Sequence, residues 1–457
     1  MEPTELSLNF SPIRSSYEHS QPFEKIGKVI SNHGLVYEVS LSRAIIGASV
    51  EFITESGDRS MGEVVSINNK TCMAMPYNDL TGINTETRVI LKDITTEIKV
   101  SDSFLGRVLD FQCEPFDGKG KTKGPYTKMN IFGQPINPLD RPPIDQPLDT
   151  GIHAINCFNT VGKGQRMAIM SGSGVGKSVL LGMIAQNTTA DVNVISLVGE
   201  RGREVLEFIE NDLGPEGLKK SVIIVATSDT SPLVRIKSAY VATTIAEYFR
   251  NQGKDVLFLM DSITRFAMAM REIGLSSGEP PGQKGYTPSV FAKLPKILER
   301  AGTKEGYGSI TGLYTVLVEG GDFDEPISDA IRAISDGHIV LSRDLAAKNH
   351  FPAIDVLSSI SRLMNRVATP EHRVVSGYLK DLMASYKENE DLINVGAYAK
   401  GSNNKVDRAI LIYEDLMELL KQEQGLCQFF RIEDLFDRMV EIARKAKLMG
   451  QEEDEAS

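Results

Sequence analysis

The chain contains 457 residues, of which 41% are hydrophobic and 24% are charged, and it carries a formal net charge of −11. This composition is typical of a globular protein with room for two or three domains, and it lacks the basic character of most nucleic-acid-binding proteins. From this acidic charge we expect no nucleic-acid partner. Apolar stretches stay well short of the ~20 residues of a membrane-spanning helix and the N-terminus lacks a secretory signal, so we expect a soluble intracellular protein.

The first hundred residues predict an extension followed by a small β domain. Residues 1–22 are polar and rich in turn formers, which predicts a loosely held N-terminal extension. Residues 23–97 contain short β-rich runs, such as 35–39 and 50–53, separated by turn signals. Regular short strands of this kind predict a small antiparallel β-barrel.

The remainder of the chain changes from an α/β pattern to a helical one. After a stretch dense in glycine and proline, continuous apolar runs alternate with helical segments, which predicts an α/β domain over residues 98–373. Residues 374–450 have apolar residues at three- and four-residue steps and predict a C-terminal helical domain. The acidic residues 451–457 predict a disordered, solvated tail.

A phosphate-loop pattern stands between a predicted strand and a predicted helix. Its residues are Ser171, Gly172, Ser173, Gly174, Val175, Gly176, Lys177 and Ser178. Serine replaces the first glycine of the pattern, but three glycines remain to let backbone N–H groups approach phosphate oxygens. Lys177 can reach the β- and γ-phosphates, and the Ser178 hydroxyl is suited to Mg²⁺. The alternative is a glycine-rich turn that only joins strand to helix.

Two acidic residues each follow a predicted buried strand. Asp261 ends the apolar run 255–261, which predicts a carboxylate beside the metal at the carboxyl edge of a parallel sheet. The alternative role for Asp261 is a helix cap. Glu200 follows the run 192–198 and can orient a water molecule for attack on the γ-phosphate. Taken alone, without the two preceding motifs, Glu200 is better interpreted as an exposed residue or an ion-pair partner.

These motifs together resemble the rotary and export ATPase superfamily. The four blocks that carry the resemblance are residues 172–178, 199–205, 261–267 and 352–362. Two further blocks, residues 286–295 and 336–343, are similar to the flagellar and type III secretion branch of that superfamily. The resemblance covers approximately residues 25–450.

The resemblance implies an α/β fold with a RecA-like P-loop domain over residues 98–373, an N-terminal small β-barrel and a C-terminal helical domain. It implies ATP and Mg²⁺ as ligands, with Lys177 and Glu200 catalytic and Ser178 and Asp261 at the metal. It further implies that Arg201 contacts the nucleotide, that Phe351 stacks on adenine, and that Arg362 is an arginine finger reaching a neighbouring subunit. From chemistry alone, Phe351 could be a core residue and Arg362 an ordinary ion-pairing arginine.

The function that the resemblance implies is an ATP-hydrolysing motor of flagellar or type III protein export, acting as a homohexameric ring. The expected partners are identical subunits, a regulatory protein on the N-terminal segment, a coiled-coil stalk protein, export chaperone–substrate complexes and the membrane export gate. The expected location is the cytoplasm, with peripheral association at the inner-membrane export apparatus.

Three other functions share part of this pattern. The first is the catalytic subunit of an ion-coupled ATP synthase, which would need a second kind of nucleotide-binding subunit. The second is a ring-shaped RNA translocase of the transcription-terminator type, which the acidic composition and the absence of tryptophan disfavour. The third is a nucleotide-binding scaffold without turnover, which the presence of Glu200 disfavours.

Overall fold

The computed structural model describes residues 25–42, 44–68, 70–92, 96–318, 325–424 and 431–454. The predicted extension over residues 1–22 lies outside these ranges, as do residues 455–457 of the predicted tail. The chain divides into two compact units. One comprises Met1–Thr96 with Ile273–Glu279, and the other comprises Glu97–Glu272 with Pro280–Ser457.

The first unit contains the predicted antiparallel barrel. Its strands among the described residues are β1 (Lys25–His33), β2 (Val36–Val39), β3 (Ser49–Ile53), β4 (Arg59–Asn68), β5 (Thr71–Pro76) and β6 (Arg88–Leu91). They close in the order β1-β2-β5-β4-β3-β6. Val50 and Phe52, two residues apart on β3, are both buried in the barrel core, whereas Glu51 between them pairs with Arg59. This alternation is the period-2 pattern of a strand with one face toward the core.

The second unit is built around a mainly parallel sheet. Its strands are β7 (Glu97–Val100), β8 (Arg107–Leu109), β9 (Thr127–Asn130), β10 (Pro147–Leu148), β11 (Val161–Gly162), β12 (Arg166–Ser171), β13 (Val192–Glu200), β14 (Ser221–Thr227), β15 (Asp255–Asp261), β16 (Gly302–Thr303), β17 (Ser309–Leu317), β18 (Gly337–Leu341) and β19 (Ile354–Ser361). The order in the large sheet is β19-β18-β12-β17-β15-β13-β14-β8, and β16 pairs with β17. Only β16 and β19 run antiparallel to their neighbours in the described part of this sheet.

Helices cover the sheet and form the C-terminal part of the chain. They are α1 (His153–Phe158), α2 (Lys177–Asn187), α3 (Gly202–Glu207), α4 (Gly214–Lys219), α5 (Pro232–Asn251), α6 (Ile263–Ser276), α7 (Pro288–Leu298), α8 (Pro326–Ile334), α9 (Arg343–Ala347), α10 (Met364–Val367), α11 (Pro370–Asn394), α12 (Asn404–Leu420) and α13 (Ile432–Asp454). A π-helix, Phe208–Leu213, connects α3 to α4.

The central strands are apolar throughout because both faces of the sheet are buried. On β12, Ile169 faces a core shared with α2 and the C-terminal helices, whereas Met170 faces a second core shared with α5, α6 and α7. Continuous apolar runs are the expected signature of parallel strands covered on both sides. The predicted fold class, an α/β P-loop domain with an N-terminal β-barrel and a C-terminal helical region, is confirmed.

The C-terminal helices α11, α12 and α13 pack their apolar faces together and against the sheet. Leu379, Ile412, Leu416 and Met439 are buried in the same core as the central strands. α13 continues to Asp454, so it enters the segment for which we predicted a disordered tail. Among the described residues, every helix is too short or too polar to cross a lipid bilayer.

Candidate functional site

The glycine-rich segment with the phosphate-loop pattern joins β12 to α2. β12 ends at Ser171 and α2 begins at Lys177, so the segment turns at the carboxyl edge of the sheet. Gly174 and Gly176 have φ angles of 75° and 81°, in the left-handed region that favours glycine. A Cβ added at Gly174 would meet nothing within 4 Å, so the loop is open on that side. A loop of this kind, followed by a helix N-terminus, is suited to an anion.

Three charged side chains meet beside this loop. Lys177 Nζ lies 2.6 Å from Asp261 Oδ1 and 3.4 Å from Glu200 Oε1. Asp261 ends β15 and Glu200 ends β13, and these strands are parallel neighbours. The Thr315 hydroxyl on β17 donates a 2.6 Å hydrogen bond to Asp261 Oδ1. The structure therefore brings the three predicted residues together, and it adds Thr315, which the sequence did not single out.

The proximity of these charges changes the proton affinities of Glu200 and Lys177. Burial, and next the Asp261 carboxylate, raise the pKa of Glu200 to about 7, although the Lys177 ammonium opposes the shift. Burial lowers the pKa of Lys177, but Asp261 and Glu200 outweigh it, so this pKa lies above its ordinary value. Lys177 is therefore charged at neutral pH, whereas Glu200 exchanges a proton near neutrality.

A bulge in β13 precedes Glu200. The pairing of β13 with β14 changes register between Val198 and Glu200. Gly199, between them, has a φ of 75°, and a Cβ there would lie 3.0 Å from the Cβ of Arg265. Glycine is therefore required at this position by backbone conformation and by the closeness of α6. With this bulge, the strand ends with Glu200 in contact with Lys177.

A cavity of about 850 Å³ opens over the phosphate loop and Glu200, at the end of β13. Besides Lys177 it is lined by Arg201, which we predicted as a nucleotide contact, and by Arg265 and Arg343, which we did not. Arg201 is largely exposed and pairs with Glu204. Both missed arginines stand in sequence blocks that carried the family resemblance, so that signal could have identified them. The concentration of cations suits a polyphosphate.

Arg343 approaches the phosphate loop closely. A Cβ added at Gly172 would lie 2.8 Å from both Nε and one terminal nitrogen of the Arg343 guanidinium. Arg343 is the first residue of α9, and the preceding Ser342 caps that helix by accepting a hydrogen bond from Leu345 N–H. The absence of a side chain at Gly172 thus leaves room for a cation against the loop.

A second cavity, of about 490 Å³, shares Gly174, Gly176 and Val179 with the first. Phe351 lines it and is 38% exposed, so its ring is available to a ligand. The lining also includes residues 421–424, which the sequence did not single out. A mainly apolar cavity with an exposed aromatic ring fits a planar base better than it fits phosphate.

Arg362 lines neither of these two cavities. It follows β19, its side chain is exposed, and its guanidinium donates a 3.2 Å hydrogen bond to the carbonyl of Arg332. The structure therefore does not bring Arg362 to the phosphate loop of its own chain. Its role in a neighbouring subunit stays a prediction.

The residues predicted to hold magnesium fit that ion. The Asp261 carboxylate and the Ser178 hydroxyl supply oxygen atoms, which Mg²⁺ prefers, and Ser178 lines the larger cavity. In the described ranges, no group of three or more His, Cys, Asp and Glu side chains could hold a metal. Proteins commonly hold Mg²⁺ through one or two carboxylates, with water and substrate phosphates as the other ligands.

Comparison with known proteins gives matches along most of the chain. Residues 151–361 match the nucleotide-binding domain of the ATP synthase alpha/beta family, and residues 368–441 match the T3SS EscN ATPase C-terminal domain. The flagellum-specific ATP synthase of Bacillus subtilis (strain 168) is 49% identical over 407 residues, which covers 89% of this chain and 92% of that protein.

Two solved structures share this fold at 41% sequence identity. In each comparison the match covers 91% of this chain and 99% of the solved chain. One is the assembled ATPase EscN from the enteropathogenic E. coli type III secretion system, with a TM-score of 0.85. The other is assembled EscN in complex with its central stalk EscO, with a TM-score of 0.83.

Proposed function

The chain belongs to the family of flagellum-specific ATP synthases and type III secretion ATPases, and we propose that it is the ATP-hydrolysing motor of a flagellar or type III protein export apparatus. It acts as a homohexameric ring that helps to unload chaperoned substrates into the export channel. The observation that carries the proposal is the contact of Lys177 with both Asp261 and Glu200 beside the phosphate loop. This arrangement supplies a cation for phosphate and a carboxylate for water in one place.

Hydrolysis requires the γ-phosphate to be held in line with an attacking water molecule. The phosphate loop holds the polyphosphate, and Lys177 binds the β- and γ-phosphates, so its ammonium exchanges carboxylate contacts for phosphate contacts. Glu200 orients and polarises the water. Burial raises the pKa of this carboxyl group to about 7, which makes it a stronger base than an ordinary glutamate.

Ser178 and Asp261 are the residues that would hold Mg²⁺. When bound, the ion neutralises part of the charge on the β- and γ-phosphate oxygens. Thr315 donates to Asp261 Oδ1 and so restricts the orientation of that carboxylate. Phe351 stacks on the adenine in the smaller cavity, and Arg201 contacts the nucleotide at the mouth of the larger one.

The site is completed by Arg362 of a neighbouring copy. Its exposed guanidinium lies outside both cavities of its own chain, which is compatible with service to another chain. An arginine that reaches the γ-phosphate in trans contributes about 10³- to 10⁵-fold to turnover. Because Glu200 and Arg362 are present in one sequence, identical subunits suffice to build complete sites.

The export role assigns further partners to the ring. By analogy with the complex of EscN and its central stalk EscO, a coiled-coil stalk protein binds the assembled ring. A regulatory protein binds the N-terminal segment, chaperone–substrate complexes are unloaded, and the membrane export gate receives the substrates. The protein therefore works in the cytoplasm and associates peripherally with the inner-membrane export apparatus.

The decisive experiment combines mass and turnover measurements on the purified full chain. We expect a homohexamer in the presence of Mg-ATP and ATPase activity per subunit that rises with protein concentration. Arg362→Ala should retain nucleotide binding and lose this concentration-dependent activity. Inactive monomers at every concentration, with turnover only after addition of a second nucleotide-binding subunit, would instead identify an ATP synthase subunit.

A further inference from the structure

We call the Arg362 N–H, the Asp336 carbonyl and the Ser361 hydroxyl together the base of Arg362. A buried amide, that of Gln165, donates to the Asp336 carbonyl and to the Ser361 hydroxyl. Gln165, between β11 and β12, is 0% exposed. Its Nε2 donates to the carbonyl of Asp336 and to the hydroxyl of Ser361, each at 3.1 Å. Its Oε1 accepts a 2.8 Å hydrogen bond from the Gly162 N–H. The orientation of the amide is therefore determined at both ends.

Arg362 uses the same backbone acceptor as Gln165. The Arg362 N–H donates to the Asp336 carbonyl at 2.9 Å, so this carbonyl accepts from both residues. The Ser361 hydroxyl, in turn, donates to the Thr160 carbonyl at 2.8 Å. Through these bonds, the Gln165 side chain connects the last residues of β19 to the segment that leads into β12.

Asp336 is itself fixed by an ion pair. Its two carboxylate oxygens accept hydrogen bonds from Nε and a terminal nitrogen of Arg166, each at 3.1 Å. The two side chains are 24% and 15% exposed, so the pair is largely shielded from water. A bidentate pair restrains orientation more strongly than a single contact does. The Asp336 carbonyl, which accepts the hydrogen bond from the Arg362 N–H, is therefore held in place by this ion pair.

We propose that Gln165 is a positioning residue for Arg362, which holds the base of this arginine so that its guanidinium meets the γ-phosphate of the neighbouring subunit. The inference rests on the trans role proposed for Arg362. The guanidinium donates an exposed hydrogen bond to the Arg332 carbonyl, whereas the Arg362 N–H shares the Asp336 carbonyl with the buried Gln165. Gln165 also donates to the hydroxyl of the neighbouring Ser361. A displacement of ~1 Å at a reacting group can cost about 10²-fold in rate, so the placement of this base matters for turnover.

The first test replaces the amide by an isosteric carboxyl group. Gln165→Glu retains an oxygen for the Gly162 N–H but replaces the Nε2 donor that the Asp336 carbonyl and Ser361 use. We expect kcat to fall by about 10- to 100-fold, with KM for ATP nearly unchanged, because Gln165 lines neither cavity of its own chain. Ser361→Ala, which removes a smaller part of the same network, is the second variant in case Gln165→Glu does not fold.

Asn193→Asp provides a matched control. Asn193 is also 0% exposed, and its Nδ2 donates to the Ala185 carbonyl and the Ser221 hydroxyl, as the Gln165 amide donates to a carbonyl and a hydroxyl. It has no bond to the base of Arg362. Loss of a buried amide here should lower thermal stability without a selective loss of kcat. An equal loss of kcat in both variants would show a general structural effect and overturn the proposal.

Mixed rings separate a defect in the arginine from a defect in the pocket. A Glu200→Gln subunit has an impaired nucleotide pocket but a correctly placed Arg362. A Gln165→Glu subunit should have an intact nucleotide pocket but a misplaced Arg362. In co-expressed rings with equal, randomly placed subunits, about one interface in four pairs an intact pocket with an intact arginine. Turnover should therefore approach a quarter of the wild-type value, well above that of either variant alone.

The same mixture with Arg362→Ala in place of Gln165→Glu tests the proposed function separately. If the Arg362→Ala mixture is rescued and the Gln165→Glu mixture is not, Gln165 acts within its own subunit and the inference is wrong, while the trans arginine stands. If neither mixture is rescued, the trans role of Arg362 fails and the inference fails with it. Rescue of both supports both.

Discussion

Lys177 Nζ lies 2.6 Å from Asp261 Oδ1, in an ion pair whose side chains are only 13% and 5% exposed. Glu200 Oε1 lies 3.4 Å from the same ammonium group. One cation therefore serves two buried carboxylates, and a bound polyphosphate must compete with both of them for it. We therefore expect Lys177 to act in both nucleotide binding and hydrolysis, and Glu200 to act in hydrolysis.

Glu200→Gln should therefore separate binding from hydrolysis. The amide is the same size and retains an oxygen near Lys177, so we expect the affinity for a fluorescent ADP analogue to change little and turnover to fall by about 10²-fold or more. Lys177→Ala should weaken both, because it also leaves Asp261 and Glu200 without their shared cation. Glu207→Gln, at an exposed carboxylate of α3, is the control. Wild-type turnover in Glu200→Gln would refute the catalytic assignment.

Thr315→Val should raise the Mg²⁺ concentration that the enzyme requires. The valine preserves the shape of the side chain but removes the 2.6 Å hydrogen bond to Asp261 Oδ1. Loss of such an outer-shell partner costs about 10- to 100-fold in metal affinity or activity. A Mg²⁺ titration of ATPase activity measures the effect. Thr311→Val is the control. Thr311 is buried on the same strand, and its hydroxyl accepts a hydrogen bond from the Gly164 N–H, so its replacement should leave the Mg²⁺ requirement unchanged. Identical titrations for Thr315→Val and wild type would exclude this role.

Arg343 and Gly172 should be energetically coupled in ATP binding. We expect Arg343→Ala to weaken binding by about 10- to 100-fold, the usual effect of losing a hydrogen bond to a charged group. Gly172→Ala places a methyl group against the flexible end of Arg343, so it should displace the guanidinium without preventing folding. A double-mutant cycle by calorimetry tests the coupling, with the exposed Arg366→Ala as control. Additive effects of the two substitutions would mean that Gly172 acts independently of Arg343.

Lys380 should make stability depend on pH above neutrality. Its Nζ lies 3.3 Å from Asn159 Oδ1, and burial lowers its pKa from 10.5 to about 8. Between these two values the unfolded chain binds more protons at Lys380 than the folded chain does, so the free energy of unfolding should rise with pH. Below pH ~8 the folded state bears the full cost of the buried charge.

Lys380→Met should consequently increase the free energy of unfolding at pH 7, by about 1–2 kcal/mol, and flatten its rise between pH 8 and pH 10.5. Urea unfolding at several pH values measures this effect. Lys400→Met, at an exposed lysine, should reproduce the wild-type profile. A steeper rise in Lys380→Met than in wild type would contradict the assignment.

Local sequence was sufficient for the parts of the fold and site that depend on one segment at a time. The short β-rich runs and the turn signals between them indicated the barrel, and the apolar runs indicated buried parallel strands. Asp261 and Glu200 could be placed together because parallel strands deliver their carboxyl ends to one edge of a sheet. The bulge at Gly199 and the hydrogen bond from Thr315 could not be anticipated, because they depend on how neighbouring strands and α6 approach one another.

Short segments of the sequence supply the groups on which the proposed chemistry depends: a glycine-rich loop, a lysine at the start of a helix, and carboxylates at strand ends. The supporting contacts between distant residues became visible only in the folded chain. Examples are the approach of Arg343 to Gly172 and the hydrogen bond from Gln165 to the Asp336 carbonyl beside Arg362. These contacts join residues that are far apart along the chain. Gln165 and Ser361 are 196 residues apart, and no local periodicity records a hydrogen bond that forms only when β12, β18 and β19 pack side by side.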